Sequence, residues 1–104
     1  MATGGGVVVS DVEIVEDEHA WMARVDGHAA GELVWRESRD GSAVVLVHTQ
    51  VAEGFEGQGV GGALVRAAVD RLAADGRAVR PDCPFARAWL QRHPDHPVTV
   101  LDRT

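Results

Sequence analysis

A chain of 104 residues, 45% hydrophobic and 25% charged, has the composition of one globular domain with a single core. Ten basic residues against sixteen acidic ones leave a formal charge of −6, which argues against nucleic-acid binding as its main task. A single cysteine, Cys83, excludes an internal disulfide, and no apolar run approaches membrane-spanning length.

Residues 1–10 read as a loose tail or the start of a first strand, and residues 11–104 as one domain. The beginning lacks the basic and apolar regions of a signal peptide, so a soluble cytoplasmic protein is expected. Residues 7–10 or 12–15 offer the first strand. Residues 19–26 alternate, with Trp21, Ala23 and Val25 on one side. Asp26-Gly27 is a hairpin signal, since a type I′ turn needs positive φ at both positions. Residues 28–38 form the return strand, and Asp40-Gly41 turns the chain again. The stretch Ala43–Val51 is apolar up to His48 and reads as a central strand covered on both faces.

The period then changes. After a loop at 52–56, residues 60–75 place Leu64, Val65, Ala68, Val69 and Leu72 on one helical stripe. Arg66 and Asp70 fall on the opposite side at i, i+4 spacing. Gly76 ends this helix, and residues 77–82 form a short strand with a parallel neighbour. Pro84 suits the first position of a second helix, with Phe85, Ala88 and Trp89 as its apolar stripe and His93-Pro94 as its stop. Residues 98–101 are a last edge strand or a packed tail. The order is β-β-β-β-α-β-α, an α/β (α+β) fold with a mixed, mostly antiparallel sheet. Charge is uneven along it: residues 1–52 carry the whole net −6 and the rest balances. An anionic cofactor suits the second half, and the first half draws a cationic acceptor.

The segment Glu56-Gly57-Gln58-Gly59-Val60-Gly61-Gly62 lies between the central strand and the first helix. Four glycines in so short a run are costly in backbone entropy, so the chain there needs close approach or unusual dihedrals. Free amides at a helix N-terminus make a phosphate cradle without basic side chains. A P-loop is excluded because no Lys-Ser/Thr follows. Gly57-x-Gly59-x-x-Gly62 matches the dinucleotide pattern literally. The antiparallel setting and the lack of a second βαβ half exclude that fold.

The stretches Val47-His48-Thr49-Gln50-Val51, Phe55 through Leu64 and Arg80 through Phe85, together with Ala23 through Gly27, resemble the small Gcn5-related (GNAT) acetyltransferases. The likeness runs from about residue 12 to residue 94 and is greatest to the short, single-domain subfamily called YjdJ-type. It implies a sheet that splays after the fourth strand, with acetyl-CoA as co-substrate in the gap and its pyrophosphate on the amides of Gln58 through Gly62. It also implies that Val51 offers main-chain groups to the pantetheine arm. Two departures stand out. Glu56 occupies a position where the family signature has Arg or Gln. The usual helices between the first two strands are missing, which leaves the acceptor side open.

Acetyl transfer needs a deprotonated amine, a polarised thioester and a proton for the departing thiolate. Many members of the family use a tyrosine for the last task, and this chain has none. Cys83, just before Pro84, meets the positive end of the second helix, with Asp82 as an opposing neighbour. The resemblance places a cysteine here near the acetyl group. It reads as a nucleophile that carries the acetyl group, a proton donor to the leaving thiolate, or a buried apolar filler. His48 is a candidate general base or a core histidine, and Glu53 is a weaker base. Phe85 and Trp89 lie on the helix expected beside the thioester. His93-x-x-His96 is broken by Pro94 and Pro97 and reads as a surface pair, with no metal. The chain is therefore expected to be an N-acetyltransferase for a small-molecule or peptide amine, acting as a monomer or weak homodimer. Neither nucleic acid nor membrane is among its expected partners. The alternative is a non-catalytic acyl-CoA-binding or interaction module.

Overall fold

The computed structural model describes residues 7–9 and 12–101. Both candidates for the first strand form: β1 (Val7–Val9) pairs antiparallel with β2 (Val12–Glu16), Val9 opposite Val12. One more strand thus precedes the first helix than the sequence suggests. The rest of the expected tail lies outside the described residues. β3 (Ala20–Val25) and β4 (His28–Glu37) continue the meander through Asp26 and Gly27, whose φ values of 51° and 79° meet the demand of a primed hairpin turn. β5 is Ala43–Val51, followed by α1 (Val60–Ala74), β6 (Ala78–Pro81), α2 (Pro84–Arg92) and β7 (Thr99–Val100). The strands form one sheet in chain order, antiparallel through β5 and parallel for β5–β6 and β6–β7. None of the helices in the described residues is long and apolar enough to cross a membrane.

The helical stripe packs as its spacing dictates, with Leu64, Val65, Ala68, Val69 and Leu72 buried against Trp21, Leu33, Val44 and Leu46. Gly76, at φ 69°, closes α1 in a Schellman arrangement: its N–H donates to Ala73 O, and that of Arg77 donates to Leu72 O. Arg66 and Asp70 do not pair with each other. Arg66 lies over the Trp89 ring, Asp70 holds His96, and the i, i+4 ion pair on α1 is Arg71–Asp75. The expected double cover of β5 holds over its apolar half, where Ala43, Val44, Val45 and Leu46 are all buried. Helices α1 and α2, in the crossovers β5-α1-β6 and β6-α2-β7, pack on each other and join one core cluster with Val44 and Leu46. Ala43 and Val45, on the other face, are buried outside that cluster.

The β4–β5 turn is held by Asp40, whose Oδ1 accepts from Ser38 Oγ (2.9 Å), Ser42 N–H (3.0 Å) and Ser42 Oγ (2.7 Å). These bonds, the Ser42 hydroxyl first, lower its pKa from 3.8 to about 2. A depressed carboxylate contributes stability above its unfolded value and loses it as pH falls toward the folded one. Asp40→Ala should therefore melt below the wild type at neutral pH. The gap should narrow as pH drops from about 4 toward 2, which a series of thermal melts reads directly.

Candidate functional site

The glycine loop, the free edge of β5 and Cys83 meet where β5 ends. The loop leaves the sheet at Ala52, whose N–H donates to Ala30 O, and Phe55 N–H closes a turn onto Ala52 O. Gly57 and Gly59 sit at φ 80° and 79°, a region that costs other residues about 1–2 kcal/mol. Glu56 is spent on the loop itself, its Oε1 accepting the Gly54 N–H at 2.9 Å, and the Gln58 amide reaches Gly54 O at 3.4 Å. Gly59 is the N-cap of α1 and offers no side chain. The first bond of the helical ladder runs from Ala63 N–H to Gly59 O at 3.0 Å. The amides of Val60, Gly61 and Gly62 precede that ladder and have no side-chain cap. With a helix dipole behind them, they can receive an anion without any basic group.

β5 and β6 pair only from Ala43–Ala78 to Leu46–Pro81. Cys83 N–H still reaches Leu46 O at 3.0 Å, and there the chain turns into α2. Beyond that point β5 has β4 on one side and, among the described residues, no strand on the other. A register shift places Trp35 opposite Leu46 but Val34 opposite His48, so Val47 is an extra residue that re-phases the strand. Val44 and Leu46 face the helices before it, and Thr49 and Val51 do so after it, opposite Leu33 and Gly31. His48 and Gln50 face the other way and are exposed. Since Ala52 is bonded to β4, alternation turns the main-chain groups of Thr49 and Val51 toward the open edge. Gly31 permits this packing: a Cβ there would stand 2.7 Å from Gln50 O and 3.1 Å from Val60 Cγ1.

Cys83 is the N-cap of α2, in extended backbone, with Pro84 at the first helical position. Its thiol does not cap the helix. It is buried, and Sγ lies 3.2 Å from Thr49 Oγ1 on the facing strand. The Arg87 side chain donates to Pro81 O at 3.2 Å and holds the end of β6 against α2. The apolar stripe of α2 is rotated from the expected one: Ala86, Trp89 and Leu90 are buried, while Phe85 is 41% exposed. The Phe85 ring instead lies against the first turn of α1, where a Cβ on Gly61 would fall 2.7 Å from its Cζ.

A family model described as GCN5-related N-acetyl-transferase matches residues 20–99. The chain belongs to the GCN5-related N-acetyltransferase family. A GCN5-like protein from Staphylococcus aureus, solved by NMR, is similar over 92% of this chain and 94% of its own, at 25% identity and a TM-score of 0.68. A ribosomal-protein-alanine N-acetyltransferase from Brucella melitensis biovar Abortus 2308 shares the fold at 19% identity and a TM-score of 0.59, over 85% of this chain and 67% of its own. No curated protein matches the chain. Members of the family typically use acetyl-CoA.

Within this family member, the structure gathers most of the residues singled out in the sequence. Glu56 through Gly62 form one loop, Val51 lies on the strand leading into it, and Phe85 stands against its helical end. Cys83 faces the same split, while His48 is on the opposite face of the sheet from Thr49 and Cys83. Glu53 is an exposed loop residue. Thr49 is the partner that sequence reasoning missed, and nothing local marks it, since 34 residues separate it from Cys83. The expected surface pair of histidines is corrected. His93 stacks on Trp89 with centroids 3.7 Å apart, while the largely buried His96 contacts the Asp70 carboxylate at 2.7 Å. The described residues contain no cluster of three or more groups placed to hold a metal ion.

Proposed function

We propose that the protein transfers the acetyl group of acetyl-CoA to an amine by way of Cys83. The observation that carries this reading is the pairing of uncapped amides at Val60, Gly61 and Gly62 with a strand edge that opens onto Cys83. The amides take the diphosphate, the main chain of Thr49 and Val51 lies along the pantetheine arm, and Phe85 covers the arm at the mouth of the split. Acetyl-CoA supplies an activated acyl group as a thioester. The Cys83 sulfur attacks its carbonyl carbon, the bond from that carbon to the CoA sulfur breaks, and the Cys83 proton leaves with the CoA thiolate. Thr49 Oγ1, in contact with Sγ, is placed to pass that proton. An amine then attacks the acetyl-cysteine from the face that carries His48. The bond from the acetyl carbon to Sγ breaks, the amine gives up its proton through water to His48 across the split, and a proton returned to the Cys83 thiolate restores the thiol.

Coenzyme A should raise the melting temperature, because a ligand of the native state must stabilise it. Addition of a primary amine to protein and acetyl-CoA should then release free CoA thiol. Stabilisation without release across a broad set of amines would favour a binding module over an enzyme. No stabilisation would overturn both.

A further inference from the structure

The sheet face of Ala43 and Val45 carries a cavity of about 580 Å³ that the acetyl-transfer machinery does not use. Its lining includes Arg36, Arg39 and Arg80, with Ser38, Ser42 and Leu101. Residues 1–52 are strongly acidic and hold only three arginines, Arg24, Arg36 and Arg39, yet two of the three converge here with one from β6. The pairing explains how. Val45 is opposite Arg36 on β4 and beside Arg80 on β6, so the two guanidinium stems flank one buried valine. Two strand spacings separate their backbones by about 10 Å, close enough for both heads to reach a single anion. Among the described residues, Arg36 Nη1 donates to the Glu37 carbonyl at 3.1 Å. Arg80 Nε lies 3.3 Å from the Asp82 carboxylate. Among the described lining residues the acidic group is Asp40, and it is turned into its own serine turn. The described lining thus carries three arginines against Asp40, with Asp82 offsetting part of the charge of Arg80.

Its position relative to the split matters most. His48 pairs with Val34, and Val45 with Arg36, so the His48 row and the arginine row lie two residues apart on the same face of β4. That is about 7 Å along the strand. An acceptor that presents its amine at the split from this face has Arg36 and Arg80 at its far end. Resting on the acetyl-transfer reading above, we infer that the acceptor is an amine bearing a carboxylate or phosphate group, which Arg36 and Arg80 hold while the amine meets the acetyl-cysteine. Guanidinium forks match both anions in geometry and charge. Arg36 and Arg80 are therefore specificity residues, not catalytic ones.

The test uses the whole protein saturated with CoA, and matched probes. Glycine, β-alanine and longer ω-amino acids are each compared with the alkylamine that lacks the carboxylate, and phosphoethanolamine with ethanolamine. Calorimetric titration should show the anionic member of a pair binding at least about tenfold more tightly. The two series together separate carboxylate from phosphate. Arg36→Gln and Arg80→Gln should each erase most of that preference and leave the neutral amines and the CoA-induced rise in melting temperature unchanged. Arg36→Lys should retain part of it. In turnover assays the same variants should raise KM for the anionic amine and spare kcat. Equal binding of anionic and neutral amines, or equal losses for both in the variants, overturns the inference. Selective binding of the anionic probes that Arg36→Gln and Arg80→Gln erase, without any acetylation, overturns acetyl transfer and the acceptor role with it, and leaves Arg36 and Arg80 as an anion-binding site alone.

Discussion

Replacing Cys83 with alanine should abolish the acetyl adduct and lower amine-dependent CoA release by about a hundredfold or more. Wild-type protein mixed with acetyl-CoA and quenched rapidly should carry one acetyl group on Cys83 by mass spectrometry. The fold should tolerate the change. Cys83 contributes a small buried surface and one contact with Thr49, whereas the backbone bond from its N–H to Leu46 O survives substitution. Coenzyme A should accordingly stabilise the variant as it does the wild type. Thr49→Val, which keeps the shape and removes the hydroxyl, should slow adduct formation without preventing it. A variant without Cys83 that turns over normally would mean that the acetyl group passes directly to the amine.

Gly59→Val should weaken CoA binding at least tenfold, and a matched substitution elsewhere shows why that loss is specific. Gly59 and Gly41 occupy nearly the same left-handed backbone, φ 79° and 72°, and a Cβ at either meets nothing within 4 Å. Valine at each position thus imposes the same kind of strain, about 1–2 kcal/mol, with no clash to confuse the comparison. The two variants should melt at similarly lowered temperatures. Only Gly59→Val disturbs the turn that presents the amides of Val60, Gly61 and Gly62, so only it should lose CoA. Isothermal titration of both variants decides the matter. Equal affinities would detach CoA binding from the loop.

Features that depend on local chemistry were legible in the sequence. Alternation at Trp21, Ala23 and Val25, positive φ at Asp26-Gly27, the stripe of α1 with its glycine stop and Pro84 at a helix start are all written within a few residues of where they act. The loop was legible for the same reason, because the glycine run and the helix it starts are contiguous. What escaped depends on register and on distant neighbours. Two valine-rich segments competed for the first strand, and only their mutual pairing shows that both are strands. The extra residue at Val47 sends Thr49 rather than His48 toward Cys83, and no residue type in Val47-His48-Thr49 announces that bulge. Phe85 looks like core by its hydrophobicity, yet the short α2 is rotated so that its ring covers the glycine turn. His93 and His96 read as surface residues until Trp89 and Asp70 are brought beside them.

The most direct measurement follows backbone amide resonances of isotope-labelled protein during titration with coenzyme A. The largest shifts should fall on Val60, Gly61 and Gly62, with smaller ones at Thr49 and Val51 along the open strand edge. Saturating CoA that leaves these glycine-loop amides unmoved, while resonances elsewhere respond, would contradict the account.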